Sequence, residues 1–248
     1  MSRASSYLTG YRAIEEVLRQ PPAGTRLFVG NATTRVSRMA DLARANGVPV
    51  QSVTRGELRR MAGEAARDCV LHVPAGHHDS RTTLADIIAP EEASTSLVVL
   101  LDHVTDPHNL GAILRSADQF GVDGVVVAER RCADVTPVVM QVSAGAAAHV
   151  PLVRVTNLSA ALERLKESGY WIYAADMNGE VADSVNLHGK VALVVGAEGP
   201  GLSRLVRERA DVLIRVPGRG HGDSFNVSVA AGILLYEVRR QQGWFLSG

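Results

Sequence analysis

The chain has 248 residues, enough for one large domain or for a small one joined to a medium one. With 46% hydrophobic and 21% charged residues it reads as a packed protein rather than a disordered one, and no apolar run reaches the roughly 18 residues of a membrane span. The 26 basic and 26 acidic side chains cancel, which by itself does not suggest a nucleic-acid partner, but residues 1–75 hold eleven arginines and six carboxylates, an excess of five positive charges that the remainder balances. Ordinary solvated helix faces explain such an excess as readily as a basic binding module does.

Taken in chain order, "TGYRAIEEVLRQ" places Tyr11, Ile14, Val17 and Leu18 at helical spacing and is stopped by Pro21-Pro22. "RLFVG" is a short strand, "VSRMADLARANG" a helix ended by Gly47, "VPVQSVT" a strand, "RGELRRMAG" a short helix and "CVLHV" a strand. Residues 1–75 therefore form a small α/β unit. Pro74–Ser96 is rich in small, polar and charged residues, so 76–96 reads as a linker. Residues 97–248 form a second domain of repeating β and α segments. Its strands, "LVVLLDHV", "GVVVAE", "VPLVRV", "YWIYAAD", "VALVVGAE" and "DVLIRVPG", are mostly continuous apolar runs, as expected of a parallel sheet covered on both faces. Helices are expected over Asn109–Phe120, Leu158–Ser168, Leu202–Arg209 and Asn226–Gln241. No internal repeat or low-complexity tract is present.

Loops that follow parallel strands share one edge of the sheet, where ligands bind. Three stand out: "DHVTDPHN" (102–109), "GAEGPG" (196–201) and "VPGRGHGDSFN" (216–226). The second surrounds Glu198 with glycines that let backbone approach a ligand, yet it is not the dinucleotide-binding GxGxxG. In the third, Asn226 is placed to cap the following helix, and Ser224 is either a turn residue or a ligand contact. Arg115 follows the first loop on its helix. It is either a phosphate or oxyanion ligand or the partner of an acid such as Asp118. The last helix is apolar or small around most of its circumference, and its Ala230-Ala231-Gly232 cluster permits close packing, a subunit interface included. Cys69 and Cys132 form no CxxC and read as buried thiols. His77-His78 lacks metal-ligand spacing to other donors, and no metal site is assigned. The opening "MSRASSYLTGYRAIEE" has no signal-peptide core, so a cytoplasmic location is expected.

Together and in this order, "DPHNLGAILRSAD" with Asn109 and Arg115, "LVVGAEGPGLS" with Glu198, and "IRVPGRGHGDSFNVSVAAGILLYE" with Ser224 and Asn226 resemble the three motifs of the SpoU (TrmH-like) RNA 2′-O-ribose methyltransferases of the SPOUT superfamily. The segment 136–158 resembles the stretch between the first two motifs, and "YLTGYRAIEEVL" resembles the start of the family's small N-terminal RNA-binding domain. The layout is most similar to the bacterial 23S rRNA guanosine-2′-O-methyltransferase branch. The resemblance implies a SPOUT domain with a deep trefoil knot, an exception to the usual absence of knots. It implies S-adenosylmethionine bound largely by backbone at Gly196, Val216 and Phe225, with Ala197 and Ile214 nearby. It also implies a homodimer through the C-terminal domain. Asn109, Arg115, Glu198, Ser224 and Asn226 would be the catalytic set: Arg115 holds phosphate and developing charge, Asn109 positions Arg115 or the ribose, Glu198 orients the loops, and Ser224 and Asn226 shape the target pocket. No histidine falls on a motif position, although His108 and His221 lie beside them. The substrate is RNA and not DNA, since only RNA offers a 2′-OH. The chain departs from the branch at Gly218, Phe225, Gln141 and Ala148, and "ARDCVLHV" lacks a frequent His-Gln-Gly, which leaves the nucleotide open. A tRNA ribose methyltransferase or an antibiotic-protecting rRNA methylase would carry the same motifs. A catalytically silent RNA-binding or ribosome-assembly factor would keep the fold.

Overall fold

The computed structural model describes residues 6–19, 21, 23–64, 66–74, 82–220 and 224–246. His77, His78 and His221 lie outside them. The first elements are β1 (Ser6–Leu8), α1 (Tyr11–Arg19), β2 (Arg26–Val29), α2 (Thr34–Ala45), β3 (Val50–Ser52), α3 (Arg55–Ala62) and β4 (Cys69–Val73). There follow α4 (Leu84–Ile87), β5 (Ser96–Asp102), α5 (Pro107–Gln119), β6 (Gly124–Ala128), α6 (Pro137–Val142), β7 (Leu152–Val155) and α7 (Leu158–Glu167). The chain ends with β8 (Trp171–Val181), β9 (Lys190–Gly196), α8 (Arg204–Arg209), β10 (Val212–Arg215) and α9 (Val227–Gln241).

Two compact units result: Met1–His78 with Asp134–His149, and Asp79–Ala133 with Val150–Gly248. The first has a four-stranded sheet in the order β1-β4-β2-β3, antiparallel except for β2–β3. Alternation along β2 and β4 sends Leu27 and Leu71 to one core, while Phe28 and Val70 pack with Leu58 of α3. Helix starts are chemically marked: Thr33 caps α2, and Thr54 with Glu57 forms a capping box on α3, which holds the Glu57 carboxyl below its usual range.

Two sequence expectations change here. Strand β1 is too short to announce itself by pattern; its pairing with β4 makes it a strand. The segment Asp134–His149, expected within the 97–248 domain, packs with the first unit. Gly145 at φ 95° passes so close to α1 that an added Cβ would sit 2.5 Å from Glu16 Cβ, and His149 Nε2 lies 3.1 Å from a Glu16 oxygen. Val139, Met140 and Ala147 supply the apolar anchor.

The second unit is a six-stranded, fully parallel sheet in the order β10-β8-β9-β5-β6-β7. Strand β5 is central and buried along its whole length, as its unbroken apolar run requires. The expected linker is partly structured: α4 buries Leu84 and Ile87 in the core formed by Val98, Val126, Leu162 and Val194. Parallel pairing puts the ends of β5, β9 and β10 on one edge, so the three motif loops share it.

Strand β8 is longer than its apolar run. Ala174 pairs with Leu213 and Glu180 with Ile214, so residues 175–179 leave the ladder as an excursion. The glycine at its end is forced: a Cβ on Gly179 would lie 2.5 Å from Leu213 and Ile214 backbone.

Candidate active site

Asp106 ends the first motif loop by capping α5, accepting a hydrogen bond from the His108 backbone N–H at 2.9 Å. Pro107 occupies the first turn, where its missing N–H costs nothing. This start buries Asn109 to 7% exposure. The second loop follows β9. An isolated antiparallel bridge between Ala197 and Gly201 folds it back on itself, with Gly199 and Gly201 at positive φ. A Cβ on Gly196 would stand 2.4 Å from the Gly201 carbonyl carbon, so only glycine fits there. The third loop ends in Asn226, the N-cap of α9.

Asn226 joins the three loops. Its Nδ2 donates to Asn109 Oδ1 at 3.0 Å and also to Glu198 Oε1. Its Oδ1 accepts from Ser228 N (2.9 Å), Ser228 Oγ (2.6 Å) and Val229 N (3.4 Å). Both amide donors and the amide oxygen are used. A flipped amide would turn its oxygen towards the Glu198 carboxylate, so only one orientation satisfies the network. Capping and site assembly are therefore performed by one side chain.

A second tie was not legible as a motif. Asp102, 3% exposed at the end of β5, accepts from Ser203 N at 2.6 Å and lies 2.6 Å from His103 Nδ1. It fixes the chain leaving the second loop to the strand that starts the first. The only signal was an acid at the end of an apolar strand.

Helices α5 and α9 run side by side and are pinned at both ends. At one end stands the Asn109–Asn226 contact. At the other the buried Arg239 donates from Nε to Phe120 O at 2.7 Å, from a terminal nitrogen to Gly121 O, and from the other to Gln242 Oε1 at 2.8 Å. Burial pushes the Arg239 pKa down, and its N–H groups satisfy carbonyls at the end of α5, where a cation is favoured.

A cavity of about 580 Å³ opens between the second loop, the residue 175–178 excursion, β10 and α9, a size suited to a small-molecule ligand. Gly196, Ala197, Glu198, Ile214, Val216, Ser224 and Phe225 line it. The excursion, Arg207 and the α9 residues Ala230 and Leu234 also face it and were not foreseen as site residues. Asn109 and Asn226 do not line it; Asn226 holds Glu198, which does, and is itself anchored on Asn109.

Arg115 stands apart. Six residues beyond Asn109, it lies about 9 Å along the helix and about 120° around it. It is exposed, off the cavity wall, and forms no ion pair with any described residue, Asp118 included. His108 is exposed as well. Among the described residues no group of three or more His, Cys, Asp or Glu could hold a metal, and no helix is long and apolar enough to cross a membrane.

Residues 96–236 match the model of the SpoU rRNA Methylase family, and residues 7–68 match that for RNA 2′-O ribose methyltransferase substrate binding. The chain is 39% identical over 246 residues to the 23S rRNA (guanosine-2′-O-)-methyltransferase RlmB of Coxiella burnetii, covering 98% of both chains. The SpoU methyltransferase AviRb of Streptomyces viridochromogenes, solved in complex with AdoMet, aligns with a TM-score of 0.77 and 26% identity over 98% of this chain and 91% of that one. A solved RNA 2′-O ribose methyltransferase aligns with a TM-score of 0.76 and 26% identity over 96% and 89%. The chain belongs to the SpoU rRNA methylase family.

Proposed function

We propose that this protein transfers a methyl group from S-adenosylmethionine to a ribose 2′-OH of RNA, a guanosine of 23S rRNA in particular. The observation that carries the reading is the Asn226 amide, which binds Asn109 and Glu198 at once beside the cavity. The cavity fits the cofactor in size and chemistry. Ile214, Val216, Phe225 and Leu234 offer apolar surface for an adenine, and the loop after β9 presents backbone where Gly196 admits no side chain. When bound, the cofactor supplies an electrophilic methyl on a sulfonium.

The chain's residues then have distinct tasks. Glu198 is held in one orientation by Asn226 and in turn fixes the second loop. Asn109 engages its oxygen with Asn226, and its Nδ2 has no described acceptor, which leaves a donor for a ribose or phosphate oxygen. Ser224 and Phe225 shape the exposed rim. Arg115 carries a guanidinium with no carboxylate partner among the described residues, suited to clamp a phosphate and hold negative charge developing on the 2′-oxygen. The Arg115 guanidinium offers only N–H donors and no acceptor for the 2′-OH proton, so the substrate phosphate assists proton removal.

Because Arg115 is off the cavity wall, the proposal includes the homodimer. Val229, Ile233 and Tyr236 recur at helical spacing on α9 and are 48%, 39% and 50% exposed, with Phe245 packed against Tyr236. Such a patch calls for cover, and a second copy brings another α5 near the site. The trefoil knot at the end of the sheet belongs to the same reading, and β9 lying between β8 and β5 is compatible with it. An rRNA substrate supports a cytoplasmic location for the reaction. The Coxiella relative and the arginine-rich first unit support 23S rRNA.

The test is incubation with methyl-labelled S-adenosylmethionine and unmodified 23S rRNA, 16S rRNA or tRNA, followed by digestion to nucleosides. Label in 2′-O-methylguanosine from 23S rRNA is expected. Label in tRNA would keep the chemistry and change the substrate, and label on a base would overturn the ribose reading.

A further inference from the structure

Among the charged side chains on the cavity wall, one pair is not used by the catalytic arrangement. Asp176, in the excursion from β8, meets Arg207 of α8, with the Arg207 terminal nitrogen 2.5 Å from Asp176 Oδ2. Both line the cavity. The Asp176 side chain is 13% exposed and that of Arg207 44%, so the carboxylate sits in the wall while the guanidinium stands at the cavity mouth. The excursion that places Asp176 there is the segment that abandons the β8–β10 ladder.

We propose that Asp176 and Arg207 are the specificity-determining subsite for the amino-acid end of the cofactor, with the Asp176 carboxylate taking the α-ammonium and the Arg207 guanidinium the α-carboxylate. This rests on reading the cavity as the S-adenosylmethionine site. An α-amino acid presents opposite charges on one carbon, and a neighbouring acid and base match it. Among the described residues no other part of the wall offers such a pair. Glu198 is held by Asn226, Arg215 donates to Gly179 O at 3.1 Å, and Arg219 is exposed with no described acid partner. The ion pair leaves capacity on both sides. Asp176 uses Oδ2 for Arg207 and Oδ1 for the Asn178 N–H at 3.0 Å, while a carboxylate has about four acceptor sites. A guanidinium has about five N–H donors, of which this contact engages one group. A pair partly withdrawn from water also binds charge more strongly than an open surface pair.

Calorimetric titration of the full-length protein with four adenosine compounds separates the parts of the cofactor. S-adenosylhomocysteine carries both charges without the sulfonium, and S-adenosylmethionine carries both with it. Decarboxylated S-adenosylmethionine lacks the carboxylate, and 5′-methylthioadenosine lacks the whole amino acid. The wild-type protein is expected to bind 5′-methylthioadenosine at least about tenfold more weakly than S-adenosylhomocysteine, the scale of one charge-assisted hydrogen bond. Arg207→Met should weaken S-adenosylhomocysteine about tenfold while leaving decarboxylated S-adenosylmethionine and 5′-methylthioadenosine unchanged. Asp176→Asn should weaken every compound with an ammonium and spare 5′-methylthioadenosine. Equal wild-type affinity for S-adenosylhomocysteine and 5′-methylthioadenosine would overturn this subsite while leaving the cofactor reading intact. So would an equal loss of all four compounds in both variants, which marks a structural ion pair. Failure of the wild type to bind any of them would overturn the cofactor reading and the subsite together.

Discussion

The two units solve different problems with different chemistry. In the first, positive charge is spread over exposed arginines. Several are held loosely by acids on the same surface, as in the Arg19, Arg38 and Arg44 pairs, where at least one partner is largely exposed. Such pairs contribute little to stability and exchange readily for phosphate. In the second, the functional groups are few, and backbone constraint fixes their positions. Gly196 tolerates no Cβ, Asn226 has one satisfied orientation, and Asp102 is buried with its acceptor groups engaged. Attraction for a polyanion needs charge without exact geometry, whereas methyl transfer needs geometry.

The largest expected effect comes from the second unit. Asn226→Asp keeps a good helix cap but sets a carboxylate against Glu198 and removes the donor to Asn109. The rate of RNA methylation should fall by about 100-fold or more, with the thermal midpoint little changed, as single-turnover assay and melting would show. If stability collapsed and the residual rate per folded molecule were unchanged, Asn226 would be a cap only. Arg239→Met probes the far end of the same helix pair. It leaves the Phe120 and Gly121 carbonyls without their buried donor and should cost about 3 kcal/mol in chemical denaturation. Arg115→Ala should lower kcat/KM for RNA about tenfold to 100-fold and leave cofactor affinity unchanged, with Arg115→Lys intermediate.

Much of the second unit was legible because its signals are local. Continuous apolar runs marked buried parallel strands, and three glycine- and asparagine-bearing loops after them marked one edge. What escaped depends on contacts distant in sequence. The excursion at residues 175–179 follows an ordinary strand, and only the register with β10 shows that Asp176 and Met177 leave the sheet. Arg207 lies on a short helix with charged residues on most sides, and only its contact with Asp176, distant in sequence, sets it apart. The packing of Asp134–His149 into the first unit rests on Gly145 against Glu16, residues far apart in the chain. Arg115 was singled out by its type after a polar turn, but helical geometry, not residue type, decides that it faces outward from this cavity.

Smaller effects sharpen the contrast from the first unit. Tyr11 donates to Asp68 at 2.8 Å with Arg35 over its ring. Tyr11→Phe should cost about 1 kcal/mol without altering cofactor binding. Burial, then the Asp68 hydrogen bond, pushes the Tyr11 hydroxyl up to about 12 from 10.0, and burial raises the Cys69 thiol to about 11 from 9.0. Both are neutral in the fold and ionise first in the unfolded chain. Their contribution is therefore intact below about pH 9 and lost as pH rises through about 11 and 12. Denaturation measured across that range should show the decline, and Cys69→Ala together with Tyr11→Phe should flatten it.

The division of labour is tested most directly by salt-dependent RNA binding with cofactor binding alongside. Deleting residues 1–75 would also strip the surface on which Asp134–His149 packs, so substitution is cleaner. Arg12, Arg26, Arg55 and Arg60 are exposed and form no ion pair with a described carboxylate. With all four changed to alanine, the slope of log Kobs against log salt should shrink by up to about 3, given about 0.7–0.9 for each phosphate that is no longer neutralised. RNA affinity should fall accordingly, and the S-adenosylmethionine Kd should be unchanged. An unaltered slope and RNA affinity in the quadruple variant would contradict the account and move RNA capture away from the first unit.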